Sequence, residues 1–284
     1  MPKLLTSSHI QSFNDLGFVS PIRIMSPLQA ADYRRRLEAF EQAQQSPLKG
    51  GQRNKGYLLF TWAYEILTNS VLLDAIEDLI GSNFVVYHST TWIKEANSPG
   101  FVSWHQDSTY FGLEPLEEVT AWVALSPASI DAGCVRVLPR SHKLGQLPAD
   151  LRPQKDNLLS SGQTVQLDFD DTKTLAMPLE PGEVSLHHAC AIHGSSGNNS
   201  SDRRIGLCLH FVPCHVRPMK RLIERGALCS AMLVRGNLEH EYFPPERAPQ
   251  GDCDLDALAI HAEAVESYRR MVQALGHNTA SRFD

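Results

Sequence analysis

Ser103-Trp104-His105-Gln106-Asp107-Ser108-Thr109-Tyr110 is the stretch on which the reading of the fold turns. His105 and Asp107 are two residues apart, and on an extended strand such residues point to the same side. An imidazole and a carboxylate converging on one point supply two members of a 2-His-1-carboxylate set, the usual cradle for non-haem Fe(II). A His-x-Asp triplet alone is common by chance. The rest of the chain must supply a third ligand and a group to hold a co-substrate.

Twelve histidines offer candidates for that ligand. His187 and His188 sit inside an apolar strand, where a satisfied core histidine is the default. His193 lies just past that strand, in Ile192-His193-Gly194-Ser195-Ser196-Gly197-Asn198-Asn199, where Gly and Asn permit a tight turn and close backbone approach. A side chain at a strand end, held by a scaffold and open to a pocket, suits a catalytic metal. Arg204 follows, opening Arg204-Ile205-Gly206-Leu207-Cys208-Leu209-His210-Phe211. Parity puts Ile205, Leu207, Leu209 and Phe211 on one face and Arg204, Gly206, Cys208 and His210 on the other. Gly206 and Cys208 leave room beside the guanidinium. A buried guanidinium needs an anion, either a protein Asp or Glu or a bound carboxylate gripped by its planar fork. Arg203 points the opposite way, as a solvated surface charge.

The surrounding pattern is β-rich. Phe84–His88, Thr90–Lys94, Phe101–His105, Thr120–Leu125, Cys134–Leu138, Thr164–Asp168, Val184–His188 and Arg204–Val212 are short strand candidates separated by turns and not alternating with helices. This predicts an antiparallel sandwich or barrel rather than a doubly wound sheet. Helices precede it. Ser26-Pro27-Leu28-Gln29 reads as a capped helix start running to about Gln45, and a second helix follows Asn69-Ser70 and stops at Gly81. Leu144 to Gly162 reads as a surface insertion, and Asp254–Ala274 as a terminal helix. The expected organisation is one domain over 1–284, with helices at 26–81, a β core at about 84–213 and an extension at 214–284.

Composition narrows the function classes. With 42% hydrophobic and 20% charged residues in 284, a sizeable core is expected and wholesale disorder is not. A net charge of -6 argues against nucleic acid as the partner. No apolar run is long enough for a membrane span, and the N-terminus lacks the apolar region of a secretion signal. The six cysteines include no Cys-x-x-Cys pair, so reduced packing cysteines in a cytoplasmic protein are expected rather than disulfides or zinc.

Four ordered motifs resemble one family. His105-Gln106-Asp107, Thr120-Ala121-Trp122-Val123-Ala124-Leu125, Ala132-Gly133-Cys134-Val135-Arg136-Val137-Leu138-Pro139-Arg140-Ser141-His142-Lys143, and His193-Gly194-Ser195 with Arg204 look like the phytanoyl-CoA dioxygenase (PhyH) family of Fe(II)/2-oxoglutarate oxygenases, roughly from Gly17 to Pro213. The resemblance implies a mainly β fold with flanking helices around a double-stranded β-helix (jelly-roll, cupin-like) core. It implies iron held by His105, Asp107 and His193, and Arg204 binding the distal carboxylate of 2-oxoglutarate. Thr90 and Trp122 match co-substrate contacts, and a basic residue near Lys55 is a looser match. The co-substrates would be 2-oxoglutarate and O2, released as succinate and carbon dioxide as an unactivated C–H is oxidised. Related halogenases lack the carboxylate, so retention of Asp107 favours hydroxylation.

The substrate is less legible. A small polar or natural-product molecule is the expected partner, and Trp104, Thr109, Tyr110, Phe111 and Arg136 are candidates to line its pocket. Lys94 could meet an anionic substrate, but a surface or ion-pair role is favoured for it. Two other readings stand beside the oxygenase: a jelly-roll binding protein or pseudoenzyme, and a cupin-like metalloenzyme indifferent to loss of Arg204. The sequence sets no oligomeric state.

Overall fold

The alternation along Arg204–Pro213 is realised in space. Ile205, Leu207, Leu209 and Phe211 join the main hydrophobic cluster, while Arg204, Cys208 and His210 face a cavity. The computed structural model describes residues 2–159, 162–238 and 240–277. Ser160, Ser161, Glu239 and 278–284 lie outside the described residues, so the expected insertion and C-terminal extension are seen only in part.

Two antiparallel sheets form the core. The larger runs β1 (Phe18–Arg23), β10 (Glu183–His188), β5 (Val119–Ala124), β12 (Arg204–Pro213), β2 (Phe84–Lys94) and β14 (Met232–Arg235). The smaller runs β3 (Val102–His105), β11 (His193–Ser195), β6 (Val135–Val137) and β9 (Leu175–Met177). Two short pairs lie apart, β4 (Leu113–Glu114) with β13 (Arg217–Pro218), and β7 (Ala149–Asp150) with β8 (Thr164–Val165). Trp122 and Cys208 of the larger sheet share an apolar cluster with Val135, Val137 and Met177 of the smaller, so the sheets face each other as a jelly roll.

Helices cover the far side of the larger sheet. These are α1 (Ser7–Leu16), α2 (Pro27–Gln44), α4 (Thr61–Leu67) and α5 (Ser70–Ile80), while α3 (Gly50–Arg53) lies beside β2 on the cavity side and α6 (Lys220–Glu224) and α7 (Leu255–Ala274) lie in the extension. The Ser26 side chain accepts from the Gln29 amide, and Asn69 accepts from Leu72. Gln29 itself bonds the Tyr33 hydroxyl, so the reciprocal half of the expected capping box is not formed. On α5, Leu72, Leu73 and Ile76 pack into the cluster beneath β12, each burial worth ~1.5–3 kcal/mol.

Three boundaries differ from the sequence expectation. The runs 84–88 and 90–94 are one continuous strand. The sheet extends past 84–213 at both ends, because β1 and β14 occupy its edges. Pro21 hides β1 from a sequence reading, but it falls where the pairing with β10 breaks between Val19 and Ile22, and an edge strand tolerates the missing N–H. No helix among the described residues is long and apolar enough to cross a membrane.

Candidate metal centre and co-substrate pocket

The two sheets each send side chains into one cavity. His105 ends β3 and His193 begins β11, and the two residues are directly paired across the strands. Their rings lie 4.1 Å apart between centroids. Asp107, just past β3, places Oδ1 3.5 Å from His105 Nε2 and 3.8 Å from His193 Nε2. All three are buried, and one donor atom from each lies within 4.8 Å of the others. Gly194 allows this approach, since a Cβ there would stand 2.9 Å from the Val102 carbonyl oxygen.

The backs of the three groups are held. His105 Nδ1 lies 2.9 Å from the Ser103 carbonyl oxygen and His193 Nδ1 lies 3.0 Å from that of Ala191. A carbonyl only accepts, so both Nδ1 atoms carry the proton and both Nε2 lone pairs face inward, as metal ligation requires. Burial and the neighbouring His105 hold His193 well below the ordinary histidine value, so it is neutral. Burial alone would raise the Asp107 carboxyl, but His193, His105 and His187 hold it well below the usual range. Two imidazoles and a carboxylate, oriented from behind, fit Fe(II).

The opposite wall carries the guanidinium. Arg204 is 2% exposed, and its Cζ lies 4.9 Å above the Trp122 ring. Gly206 makes the stack possible, because a Cβ there would fall 2.0 Å from Trp122 Cζ2. The alternative that a protein carboxylate pairs with Arg204 is not realised: among the described residues no Asp or Glu forms an ion pair with it, and its Nε has no hydrogen-bond partner. Burial lowers it to about 10, which leaves it charged near neutrality. A buried cation without a counter-ion in a ligand-sized cavity is a receptor for an anion.

Lys94 corrects an expectation. It is 1% exposed, not at the surface, and has no carboxylate partner among the described residues. It pairs with Arg204 across β2 and β12, and Nζ donates to Ser195 Oγ at 2.7 Å and to the Ser196 carbonyl. Burial and the adjacent Arg204 lower it to about 6. Lys55 stands away from the cavity, where Nζ is ion-paired with Glu246 and donates to the carbonyls of Tyr87 and Ser230.

Of the expected pocket residues, Thr90, Trp122 and Tyr110 line the cavity with the triad and Arg204. Trp104 and Arg136 do not. They line an adjoining groove that shares Val102 and Ser195 with the cavity, Trp104 packed on Phe169 at 5.5 Å and Arg136 bonded to the Thr174 hydroxyl. Phe111 is buried against Tyr87 and His210, because the 3-10 turn Asp107–Tyr110 ends the strand alternation before reaching it. Thr109 is not among the lining residues, and its carbonyl accepts from His277 Nε2.

Sequence reasoning missed the supports of Asp107. Its Oδ2 accepts from Thr120 Oγ1 at 2.7 Å and lies 3.3 Å from His187 Nε2, which leaves Oδ1 toward the histidines. Thr120 lies directly opposite His187 on one side and His210 on the other. His210 Nδ1 is 2.7 Å from Glu118 Oε1. His210 shares parity with Arg204, and that was the available signal for it. His187, read as a core histidine, is buried and also lines the cavity.

The family model described as phytanoyl-CoA dioxygenase (PhyH) matches residues 13–206. The chain belongs to that family. A probable phytanoyl-CoA dioxygenase of Caenorhabditis elegans is 28% identical over 148 residues, covering 49% of this chain and 47% of the relative. The chain thus spans about half the length of the curated relatives it matches. Among solved structures, the non-haem monooxygenase ThoJ in its apo form is similar at a TM-score of 0.83 and 26% identity, covering 94% of this chain and 98% of that one. CytC3 with Fe(II) and alpha-ketoglutarate shares the fold at a TM-score of 0.64 and 18% identity, over 88% of this chain and 96% of that one.

Proposed function

We propose that this chain is an Fe(II)- and 2-oxoglutarate-dependent dioxygenase, acting as a single cytoplasmic domain on a small organic molecule and hydroxylating an unactivated C–H bond. The observation that carries the reading is Arg204: a buried guanidinium with no counter-ion among the described residues, in the same cavity as His105, Asp107 and His193. A carboxylic diacid satisfies both ends, one carboxylate on the guanidinium and the 2-oxo acid end toward the metal. CytC3, which shares the fold, is solved with Fe(II) and alpha-ketoglutarate, and this agrees with that choice of metal and co-substrate. All six cysteines are free, which agrees with a reducing compartment.

His105 and His193 would hold the metal through Nε2 and Asp107 through Oδ1. Bound there, iron with 2-oxoglutarate and O2 supplies oxidative decarboxylation to succinate and carbon dioxide together with oxidation of the C–H bond. The chain's own part is geometry. Thr120 and His187 fix the carboxylate, Trp122 keeps the guanidinium flat, and Thr90 stands on the same wall as a co-substrate contact. Trp92, Val102, Val135 and Leu159 line the rest of the cavity and exclude water from the reacting atoms. The Asp107 carboxylate occupies the position that chloride would need, which favours hydroxylation over halogenation.

The test is Fe(II)-dependent succinate release from 2-oxoglutarate. His105→Ala should abolish it. Arg204→Met should weaken 2-oxoglutarate binding about tenfold to a hundredfold, the ~1.5–3 kcal/mol of a charge-assisted hydrogen bond, with metal affinity retained. Unchanged 2-oxoglutarate affinity in Arg204→Met would falsify the co-substrate assignment and leave a metalloenzyme of another kind.

A further inference from the structure

A second hollow, of about 1100 Å³, opens directly from the metal cavity, because Thr90, Trp92, Tyr110 and Leu159 line both. It forms one mouth of the site. Its remaining wall comes from the segment around α3, which carries Leu48, Lys49 and Arg53. That segment is fastened beside the cavity: Asn54 bridges to Thr90, the Lys55 amide donates to the Ser89 carbonyl at 2.9 Å, and His261 Nε2 lies 2.8 Å from the Asn54 carbonyl. Arg53 is therefore tethered next to a residue that faces the triad.

The charge of this mouth is one-sided. Two cations line it, and no Asp or Glu does so among the described residues. Arg53 is partly buried, and Nε donates to the Leu48 carbonyl at 3.1 Å. No described carboxylate forms an ion pair with it, since the nearby acids are already engaged. Arg203 takes Glu41 at 2.8 Å and both oxygens of Glu95, at 2.8 and 2.9 Å. Burial lowers the Arg53 guanidinium from its ordinary value, as it does when a cation lacks full compensation. In a chain of net charge -6, a mouth with only positive charge and an apolar floor of Leu48, Trp92, Leu158 and Leu159 selects for an anion with an apolar body.

The geometry points to a substrate that bears an anionic group (carboxylate, phosphate or sulfate) on an apolar body, the group received by Arg53 and Lys49 while the body passes Trp92 and Tyr110 toward the metal. This rests on the oxygenase reading and adds the class of molecule that the site serves. Arg204 and Arg53 then divide the labour: the inner guanidinium holds the co-substrate and the outer one the substrate.

The test uses the protein loaded with Fe(II) and 2-oxoglutarate under anaerobic conditions, with octanoate, octyl phosphate, octyl sulfate, octanol and octylammonium as calorimetric probes. At least one anionic probe should bind about tenfold or more tightly than octanol and octylammonium, and less tightly as salt is raised. Comparing the three anions identifies the acid. Arg53→Met should remove the preference and Arg53→Lys should retain most of it, both with unchanged 2-oxoglutarate affinity. Equal binding of octanol and the anions, no binding of any anion, or a preference that survives the Lys49→Met, Arg53→Met double variant overturns the inference. Loss of 2-oxoglutarate affinity in Arg53→Met overturns it differently, by assigning Arg53 to the co-substrate. The 2-oxoglutarate titration of the unaltered protein reports on the oxygenase reading separately.

Discussion

Arg204 and Lys94 make a wall of two neighbouring buried basic side chains, and among the described residues no carboxylate pairs with either. Their difference is protonation. Burial leaves Arg204 charged near neutrality, but burial and that same charge lower Lys94 to about 6. The other groups facing Lys94 are the Cys134 thiol, the Ser195 hydroxyl and the Ser196 carbonyl. The amine is thus neutral in the folded protein and charged in the unfolded chain between about 6 and the ordinary lysine value. The unfolded state binds more protons there, so this group makes stability rise with pH across that window. An anion bound at Arg204 works the other way, favouring the ammonium. Binding of 2-oxoglutarate to the metal-loaded protein should therefore take up to about one proton above pH 6, and affinity should fall by up to about tenfold per pH unit. Calorimetry in buffers of different ionisation enthalpy measures the uptake, and Lys94→Met should lose it. Identical uptake in both proteins would show that Lys94 is only packing.

The strand register explains what a single residue does not. Thr120 is flanked by His187 on β10 and His210 on β12, which puts three polar side chains in one row across the sheet. Two of the three reach Asp107 Oδ2, and that leaves a single oxygen for the metal. Thr120→Val keeps the shape and removes the donor. Metal affinity should fall about tenfold to a hundredfold, read by competition titration with a chelator, while thermal stability changes little. Unaltered metal affinity would mean that His187 alone orients the carboxylate. This is also where legibility in the sequence ended. His105, Asp107, His193 and Arg204 announce themselves through local spacing and parity. Thr120 and His187 sit in apolar runs, and their importance exists only once β10, β5 and β12 are laid side by side. The same reason separates Tyr110, which lines the cavity, from Phe111, which the 3-10 turn sends into the core. Ser26 and Asn69 mark their helices to within a residue, whereas α1 was missed although Thr6 caps it and Gly17 ends it.

At the scale of the whole molecule, the chain after Pro213 is more than an appendage. It returns β14 to the edge of the larger sheet, lays α7 against the core and sends Glu246 inward to Lys55, with side chains only 1% and 0% exposed. Tyr57 and Ser230 donate to the same carboxylate, at 2.7 and 2.6 Å. Burial opposes the Lys55 charge, but Cys229 and Glu246 raise its value above the ordinary one. Because Lys55 directly precedes the turn that follows α3, this pair ties the extension to the segment carrying Arg53. Removing one partner leaves a buried charge uncompensated, so Glu246→Ala should destabilise the fold by ~3–5 kcal/mol in denaturant unfolding. The double variant Lys55→Met, Glu246→Leu removes both charges and should recover most of that loss, since an apolar pair of similar volume avoids the desolvation cost. If the pair is only a staple, the double variant also keeps its metal and 2-oxoglutarate affinities. A stable double variant with weakened affinity for anionic probes would instead show that the extension sets the position of the mouth.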